Sequence, residues 1–267
     1  MGADLFGKYP DVVKETSDIL GYSIVDLCMC EPEKLNNTLY TQPAVYFINA
    51  LCYYDNVQAL APDDVLAGHS LGEYSALMAA GAFTYGDGLR IVKRRAEIMS
   101  KAADGKMMAV TRINENSMRS FLEKHASFEV ELSNINSHTQ IVLSGKENDL
   151  LNIENALNEH GYMCKLLNVS GPFHSRFYEE SSRDFNDFLS SVAFNELKNT
   201  VISNVTGMPY PKDIAATLSN HLTRGVRWVD CVEYMLDGGC DIIEQIGVGK
   251  SLISLVAQIK RSWNKGA

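Results

Sequence analysis

The chain has 267 residues, of which 46% are apolar and 21% are charged, a balance typical of a globular protein rather than a disordered one. Acidic residues number 33 against 24 lysines and arginines, and the net charge of -9 argues against a nucleic-acid partner. No apolar run approaches the roughly 18 to 20 residues that span a bilayer, and the N-terminus lacks the basic-then-apolar pattern of a secretory signal. We therefore expect a cytoplasmic protein with neither a nucleic-acid nor a membrane partner.

The six cysteines form no CxxC pair. The two closest in sequence, Cys28 and Cys30, have no histidine or second cysteine pair near them. This spacing is typical neither of a disulfide framework nor of a zinc site. We expect reduced thiols and no metal.

The N-terminal part of the chain predicts helices around one short strand. Apolar residues at helical spacing, with a proline near the first turn, predict a buried helix over residues 41–52. Residues 64–68 predict a strand that ends in glycine, and residues 72–80 predict the helix that follows it. In the next predicted helix, residues 88–102, Arg95 lies beside the apolar stripe, where an unpaired guanidinium would be costly.

Between residues 106 and 169 the pattern becomes compact and self-contained. Strands are predicted at residues 107–111, 128–134, 139–144 and 163–169, and helices at residues 114–125 and 148–160. The order strand-helix-strand-strand-helix-strand is that of the ferredoxin-like unit. We therefore predict an inserted ferredoxin-like subdomain over residues 106–169.

After the insert, helices and strands alternate again. Helices are predicted at residues 183–193 and 229–237, and strands at residues 200–204 and 241–246. Such alternation on both sides of an insert is typical of an α/β fold with a mostly parallel sheet. We predict that residues 1–105 and 170–267 form one large α/β domain.

The run Gly68-His69-Ser70-Leu71-Gly72 matches the motif G-x-S-x-G. It follows a predicted strand and opens a predicted helix, as the motif requires. The serine of such a turn has a strained backbone, and we expect that only glycine is tolerated on either side of it. Its hydroxyl then lies at a helix N-terminus, with the Leu71 N–H directed at the position of an oxyanion. The pattern indicates Ser70 as a nucleophile that forms an acyl intermediate, and a turn of no chemical importance is the alternative.

A nucleophilic serine needs a general base, because its hydroxyl is too weakly acidic at neutral pH. His174 lies in a turn with glycine and proline where the chain re-enters the large domain, and such a turn can hold an imidazole over a cleft between subdomains. The remaining histidines lie at predicted helix ends, in turns or polar stretches, or beside the nucleophile and pointing away from it: His125, His160, His138, His221 and His69. Spacing alone favours His174 without excluding them.

Several motifs, spread over nearly the whole chain, resemble one family: the malonyl-CoA:acyl carrier protein transacylases and the acyltransferase units of polyketide synthases. The matching segments are Tyr40-Thr41-Gln42-Pro43-Ala44, the elbow with Glu73-Tyr74 after it, Arg95, Asn134-Ile135-Asn136-Ser137, Gly171-Pro172-Phe173-His174-Ser175, Ser203-Asn204-Val205 and Val226-Arg227-Trp228. The resemblance implies a hydrolase-like large domain with a ferredoxin-like insert, in agreement with the order of the predicted elements.

The resemblance also implies roles for individual residues. Ser70 would take the acyl group, and His174 would be general base and then general acid. A backbone carbonyl near Asn204 or Arg227, rather than an acidic side chain, would orient the imidazole. Arg95 would bind the free carboxylate of malonate through two parallel hydrogen bonds, whereas a salt bridge to a core acid is the alternative.

Five further side chains are implied at the substrate site: His69, Leu71, Phe173, Asn136 and Gln42. Leu71 and Phe173 resemble the variants that select malonyl over methylmalonyl groups, although a methyl group discriminates by only about 1 to 3 kcal/mol. No metal and no bound cofactor are implied, and malonyl-CoA is the substrate.

The implied activity moves a malonyl group from coenzyme A to the phosphopantetheine thiol of an acyl carrier protein, in polyketide or fatty acid biosynthesis. The motifs around Gln42 and Glu73 resemble free-standing, trans-acting polyketide synthase transacylases somewhat more closely. One alternative is an acyl hydrolase acting on carrier-bound chains, although such relatives usually lack the arginine. The other is a non-catalytic module that docks carrier proteins.

Two features depart from the family pattern. Family members begin with a strand and a Gly-Gln-Gly loop that borders the oxyanion site, and this sequence starts after that point. Loss of an oxyanion donor lowers rates by about a hundred- to a thousand-fold, so we expect reduced activity from a chain without that loop. Val248 stands between two glycines where relatives usually carry proline, which we expect to change loop stiffness more than chemistry.

Overall fold

The computed structural model describes residues 2–56, 60–101, 104–247 and 249–263. The helices are α1 (Ala3–Phe6), α2 (Pro10–Leu20), α3 (Ile24–Cys30), α4 (Thr38–Asn56), α5 (Gly72–Ala79), α6 (Tyr85–Ser100), α7 (Glu115–Lys124), α8 (Glu147–Glu159), α9 (Glu179–Leu189), α10 (Ile214–Asn220), α11 (Trp228–Asp237) and α12 (Ser251–Trp263). The strands are β1 (Val65–Ala67), β2 (Lys106–Thr111), β3 (Val130–Ser137), β4 (Gln140–Gly145), β5 (Met163–Leu166) and β6 (Thr200–Ile202). None of these helices is long and apolar enough to cross a membrane. Residue 102, the predicted end of one helix, and Val248 lie outside the described residues.

Helices α4 and α6 pack along each other in the main hydrophobic core. Helix α6 begins three residues before its predicted start because the Thr84 hydroxyl caps it, accepting a hydrogen bond from the Asp87 N–H at 3.2 Å. Helix α4 likewise begins at Thr38 rather than residue 41. Its apolar residues cover nearly every side, so the helix is buried rather than half exposed.

The strands form two sheets. Strands β1 and β6 pair in parallel, with Val65 opposite Thr200 and Ala67 opposite Ile202. The other four strands form an antiparallel sheet in the order β3-β4-β2-β5, and α7 and α8 belong to the same stretch of chain. The predicted α/β class is therefore confirmed, with a parallel sheet and a separate antiparallel sheet.

Strand β3 joins the antiparallel sheet to the segment before α11. The Ile135 N–H donates to the Val226 carbonyl, and the Val226 N–H donates to the Ser133 carbonyl, both at 2.8 Å. Glycine is required at Gly225, because a Cβ there would lie 2.7 Å from the Ser133 carbonyl oxygen. The contact places β3 close to the loop after β6, since the next residue, Arg227, donates its N–H to the Asn204 carbonyl at 2.9 Å.

The strand predicted at residues 241–246 is wrong. These residues have no regular secondary structure, and the side chain of Ile242 is 80% exposed. A strand needs a hydrogen-bonded neighbour, and in the described part of the chain β1 and β6 pair only with each other. The three isoleucines of this segment were therefore not sufficient to predict a strand.

Candidate active site

Ser70 lies in the sharp turn between β1 and α5 with a backbone φ of 51°, in the left-handed region. A Cβ on Gly68 would lie 2.0 Å from the carbonyl carbon of Gly72, so only glycine fits at position 68. A Cβ on Gly72 would meet no atom within 4 Å. The expectation that both flanking glycines are required is therefore wrong for Gly72, which faces open space at the first residue of α5.

Asn204, from the loop after β6, holds the elbow in this conformation. Its Oδ1 accepts a hydrogen bond from the Ser70 N–H, and its Nδ2 donates to the Gly68 carbonyl, both at 2.7 Å. A left-handed serine persists only where its surroundings over-determine the backbone. The two hydrogen bonds of this fully buried amide supply that constraint.

The His174 side chain lies beside the Ser70 hydroxyl. Its Nε2 lies 2.7 Å from Ser70 Oγ, and its Nδ1 lies 2.8 Å from the carbonyl oxygen of His221. A carbonyl can only accept a hydrogen bond, so Nδ1 carries the proton and Nε2 is left to accept the serine proton. Burial, together with the neighbouring His221 ring and the Arg95 cation, holds the pKa of His174 well below its usual value. The imidazole is therefore neutral, as a general base must be.

The carbonyl that orients His174 was assigned wrongly from the sequence. It belongs to His221, at the C-terminal end of α10, and not to a residue near Asn204 or Arg227. The Asn204 carbonyl instead accepts from the Arg227 N–H. The Arg227 side chain pairs with Asp230 and lies 3.7 Å from a Glu115 oxygen.

Two serine hydroxyls hold the backbone just before His174. Ser133 Oγ from β3 and Ser144 Oγ from β4 both donate to the Phe173 carbonyl, at 2.9 and 2.7 Å. His174 itself has a φ of 60°, so it is also in the left-handed region. The antiparallel sheet thus fixes the strained loop that carries the base.

Arg95 extends from α6 towards the nucleophile and is only 2% exposed. Its Nη2 lies 3.3 Å from Ser70 Oγ, and its Nη1 donates to Gln42 Oε1 at 2.5 Å. Gln42 is held in turn by its own Nε2, which donates to Thr38 Oγ1 at 2.7 Å. The guanidinium also lies 5.4 Å from the centre of the Tyr74 ring. Gln42 therefore holds Arg95 in place.

No acidic side chain in the described residues forms an ion pair with Arg95, and its Nε has no hydrogen-bond partner there. The alternative of a salt bridge to a core acid is therefore wrong for this part of the chain. A buried, unpaired guanidinium is costly, because burial removes its hydration. The cation beside Ser70 is therefore suited to an anionic group on a substrate.

The other predicted side chains lie around the same turn. His69 Nε2 lies 2.9 Å from Asn136 Oδ1, and the His69 ring contacts Trp228 edge-on at 5.5 Å. Burial lowers the pKa of His69. Leu71 is partly exposed after the nucleophile, and its N–H has no acceptor in the described part of the chain. Phe173, also partly buried, packs against Tyr178.

Two buried residues of the site were missed by the sequence reasoning. His221, which lies in a polar stretch of the sequence, is fully buried, with its Nδ1 3.0 Å from Oε2 of the equally buried Glu73. A polar stretch gives no sign that its histidine is buried. Glu73 was noticed only as part of the elbow motif, whose pattern says nothing about where that carboxylate points.

The described residues contain no group of three histidine, cysteine or acidic side chains arranged to hold a metal ion. The six cysteines are unpaired thiols. Burial raises the pKa of Cys164 to about 11 and that of Cys231 still further, so neither is a reactive thiolate near neutral pH. The candidate reactive groups of the site are therefore Ser70, His174 and Arg95.

The chain is similar to known proteins over most of its length. Residues 4–227 match the family described as acyl transferase domain. The chain is 40% identical to the polyketide biosynthesis malonyl CoA-acyl carrier protein transacylase BaeC of Bacillus velezensis over 97% of this chain and 92% of that protein. It is 38% identical to PksC of Bacillus subtilis, a protein of the same description, over 98% of this chain and 92% of that one.

Solved structures show the same likeness. A malonyl CoA-acyl carrier protein transacylase from Burkholderia pseudomallei superposes with a TM-score of 0.92 at 35% identity, over 98% of this chain and 93% of that one. A malonyl-transacylase in complex with a type II polyketide synthase acyl carrier protein gives a TM-score of 0.91 at 28% identity, over 98% and 88%. With a family match over most of its length and relatives of nearly equal length, the chain belongs to the acyl transferase domain family.

Proposed function

We propose that this protein transfers a malonyl group from coenzyme A to the phosphopantetheine thiol of an acyl carrier protein, through an ester on Ser70. One observation carries the proposal. A serine hydroxyl lies 2.7 Å from a neutral imidazole and 3.3 Å from a buried guanidinium that has no acidic partner in the described residues. The first contact supports acyl transfer, and the second supports an acyl group with a free negative charge.

In the first half-reaction Ser70 Oγ attacks the thioester carbonyl of malonyl-CoA while its proton passes to His174 Nε2. The free Leu71 N–H at the start of α5 stabilises the oxyanion of the tetrahedral intermediate. When the carbon–sulfur bond breaks, the departing sulfur of coenzyme A takes the proton from Nε2. The products are malonyl-Ser70 and free coenzyme A.

The second half-reaction runs the same steps in reverse with a different thiol. The phosphopantetheine thiol gives its proton to His174 Nε2 and attacks the ester carbonyl. The carbon–oxygen bond then breaks, and Ser70 Oγ recovers a proton from the imidazolium. Throughout, the His221 carbonyl keeps Nδ1 protonated, so that Nε2 alone exchanges protons.

Arg95 selects the acyl group. Its planar guanidinium can donate two parallel hydrogen bonds to the free carboxylate of malonate. Gln42 Oε1 and the Tyr74 ring hold it in one orientation before substrate arrives. An acetyl group carries no charge and gains nothing from this arrangement. His69, Asn136, Leu71 and Phe173 complete the walls of the acyl site.

We also propose a partner and a division of the chain into domains. Two relatives of nearly the same length, at 40% and 38% identity, are described as polyketide biosynthesis malonyl CoA-acyl carrier protein transacylases, which supports a free-standing enzyme that loads polyketide carrier proteins. Residues 1–105 and 170–267 form a hydrolase-like domain, supported by the serine elbow between β1 and α5. Residues 106–169 form a ferredoxin-like insert, supported by the order of β2, α7, β3, β4, α8 and β5 and by their antiparallel sheet.

Labelling tests the proposal. The protein is incubated with radiolabelled malonyl-CoA, and we expect label on the wild type, none on Ser70→Ala, and transfer of the label to a carrier protein in its phosphopantetheine form. An acyl hydrolase would release free malonate instead of passing on the label. A non-catalytic docking module would never be labelled, and either result would contradict the proposal.

A further inference from the structure

Glu73 and His221 form a buried pair that the reaction steps above do not use. Both side chains are completely shielded from solvent, and Glu73 Oε2 lies 3.0 Å from His221 Nδ1. Glu73 is in the first turn of α5, three residues after the nucleophile, whereas His221 follows α10. A buried carboxylate is costly unless a cation or donor faces it, so the two groups account for each other.

His221 contacts the base in two ways. Its main-chain carbonyl accepts the hydrogen bond from His174 Nδ1, and its ring lies 4.7 Å from the His174 ring, centre to centre. The orientation of the His221 side chain therefore bears directly on the position of the base. Glu73 is the residue that faces that side chain from the far end.

The same carboxylate also contacts Asn204, whose side chain holds the backbone at Ser70. Glu73 Oε1 lies 3.4 Å from the Asn204 N–H, and the Asn204 side chain bonds to the Ser70 N–H and the Gly68 carbonyl. One carboxylate thus contacts the residue that orients the base and the residue that holds the elbow. Such shared contacts couple the two halves of the Ser70–His174 pair to a single buried group.

We propose that Glu73 and His221 are positioning residues, and that this buried pair sets the placement of His174 against Ser70. The inference deepens the proposed function and rests on it. In serine triads an acidic side chain faces the base directly. Here the carboxylate acts one residue further away, through the histidine whose carbonyl holds Nδ1.

Charged and titratable side chains surround both His174 and Glu73. The cationic or potentially cationic groups near His174 are His221, Arg95 and His69. The titratable groups near Glu73, besides His221, are Tyr74, Tyr210 and Cys231. The His221 ring lies 4.7 Å from the His174 ring, and a positive charge on it would oppose formation of the imidazolium on His174. Replacement of that ring by a neutral side chain should raise the pKa of His174.

The test uses the rate at which a fluorophosphonate probe modifies Ser70 as a function of pH, because this reaction needs the base but no malonyl group. In His221→Gln the main-chain carbonyl remains and a neutral side chain faces Glu73. We expect the midpoint of the acid limb to move up by about half a unit to one unit. In Glu73→Ala the contact to His221 is lost, and we expect the plateau rate to fall about tenfold or more.

A second Glu–His pair in the chain provides the control. Glu233 Oε1 also lies 3.0 Å from a histidine, His138 Nε2, but both side chains are about a third exposed and neither contacts Ser70 or His174. Glu233→Ala should leave the midpoint and the plateau unchanged. Melting temperatures of all variants separate a loss of folded protein from a loss of positioning.

An unmoved midpoint in folded His221→Gln, or an unchanged plateau in Glu73→Ala, overturns the proposal. If Glu73→Ala does not fold, ¹⁵N NMR of histidine-labelled wild type gives the second measurement. In the pH range where the probe reaction has its plateau rate, the spectrum should show a proton on His221 Nδ1. An Nδ1 without a proton in that range contradicts the proposed role of the Glu73–His221 pair. Absence of label from malonyl-CoA, with the probe reaction intact, would instead contradict the proposed function and leave this inference standing.

Discussion

Removal of the Arg95 guanidinium is the perturbation for which the structure gives the clearest expected magnitude. The side chain is 2% exposed, has no acidic partner in the described residues and lies 3.3 Å from the nucleophile. Arg95→Ala removes two charge-assisted hydrogen bonds to the malonyl carboxylate, each of about 1.5 to 3 kcal/mol. We take about 3 to 4 kcal/mol for the pair, because the carboxylate loses its own hydration on entering the site.

That loss corresponds to a fall in kcat/KM for malonyl-CoA of about 10²- to 10³-fold. Loading from acetyl-CoA should be unchanged or faster, since the acetyl group has no charge to pair and the buried cation is gone. Arg95→Lys keeps the charge but cannot form the two-pronged contact, so it should fall between wild type and Arg95→Ala. Rapid-quench measurement of acyl-enzyme formation with each labelled thioester gives the comparison directly.

Arg90→Ala is the matched control, because Arg90 lies on the same helix with a 58% exposed side chain and pairs with Asp87. It should leave both rates unchanged. An equal fall for malonyl and acetyl groups in Arg95→Ala, with the protein still folded, would refute the role of Arg95 in recognising the carboxylate and would point to a general effect on Ser70.

Three further predictions concern the base and the elbow. Because burial and nearby cations lower the pKa of His174, its neutral form is present at lower pH than for an ordinary histidine. The acylation rate should therefore stay constant on mild acidification and fall only below the usual pKa of histidine, and a midpoint at or above that value would contradict the assignment. Ser133→Ala and Ser144→Ala each leave one hydroxyl on the Phe173 carbonyl, so each should lower kcat only a few-fold. The double variant should lower kcat by more than the product of the two single effects, with KM for malonyl-CoA unchanged. Steady-state kinetics, with Ser137→Ala as control, would show simple additivity if the two hydroxyls do not act together. Gly68→Ala should abolish acylation because its Cβ would overlap the Gly72 backbone, whereas Gly72→Ala should retain most of it, and near-normal labelling of Gly68→Ala would exclude the tight elbow.

The local part of the site was predictable from the sequence because it is encoded locally. A short apolar strand, a glycine-flanked serine and an alanine-rich helix follow one another along the chain, so the elbow at Ser70 was found without tertiary information. Arg95 was found for a similar reason. Its position beside the apolar stripe of α6 marked it as buried, although only the structure shows that Gln42 and Ser70 are its neighbours.

The predictions that failed concern surroundings that the local sequence does not reveal. The carbonyl facing His174 belongs to His221, 47 residues away, and main-chain carbonyls carry no residue signature. The segment predicted as a strand at residues 241–246 contains three isoleucines but has no hydrogen-bonded neighbouring strand in the described residues. The glycine at position 72 satisfies the motif, yet the space around it would accept a side chain.

A crystal structure of the protein after reaction with malonyl-CoA tests the central claim most directly. We expect continuous density from Ser70 Oγ to a malonyl group, with its free carboxylate bound by both terminal nitrogens of Arg95 and with His174 Nε2 still facing the ester oxygen. An unmodified Ser70 with the acyl group elsewhere, or a carboxylate directed away from Arg95, would contradict the account.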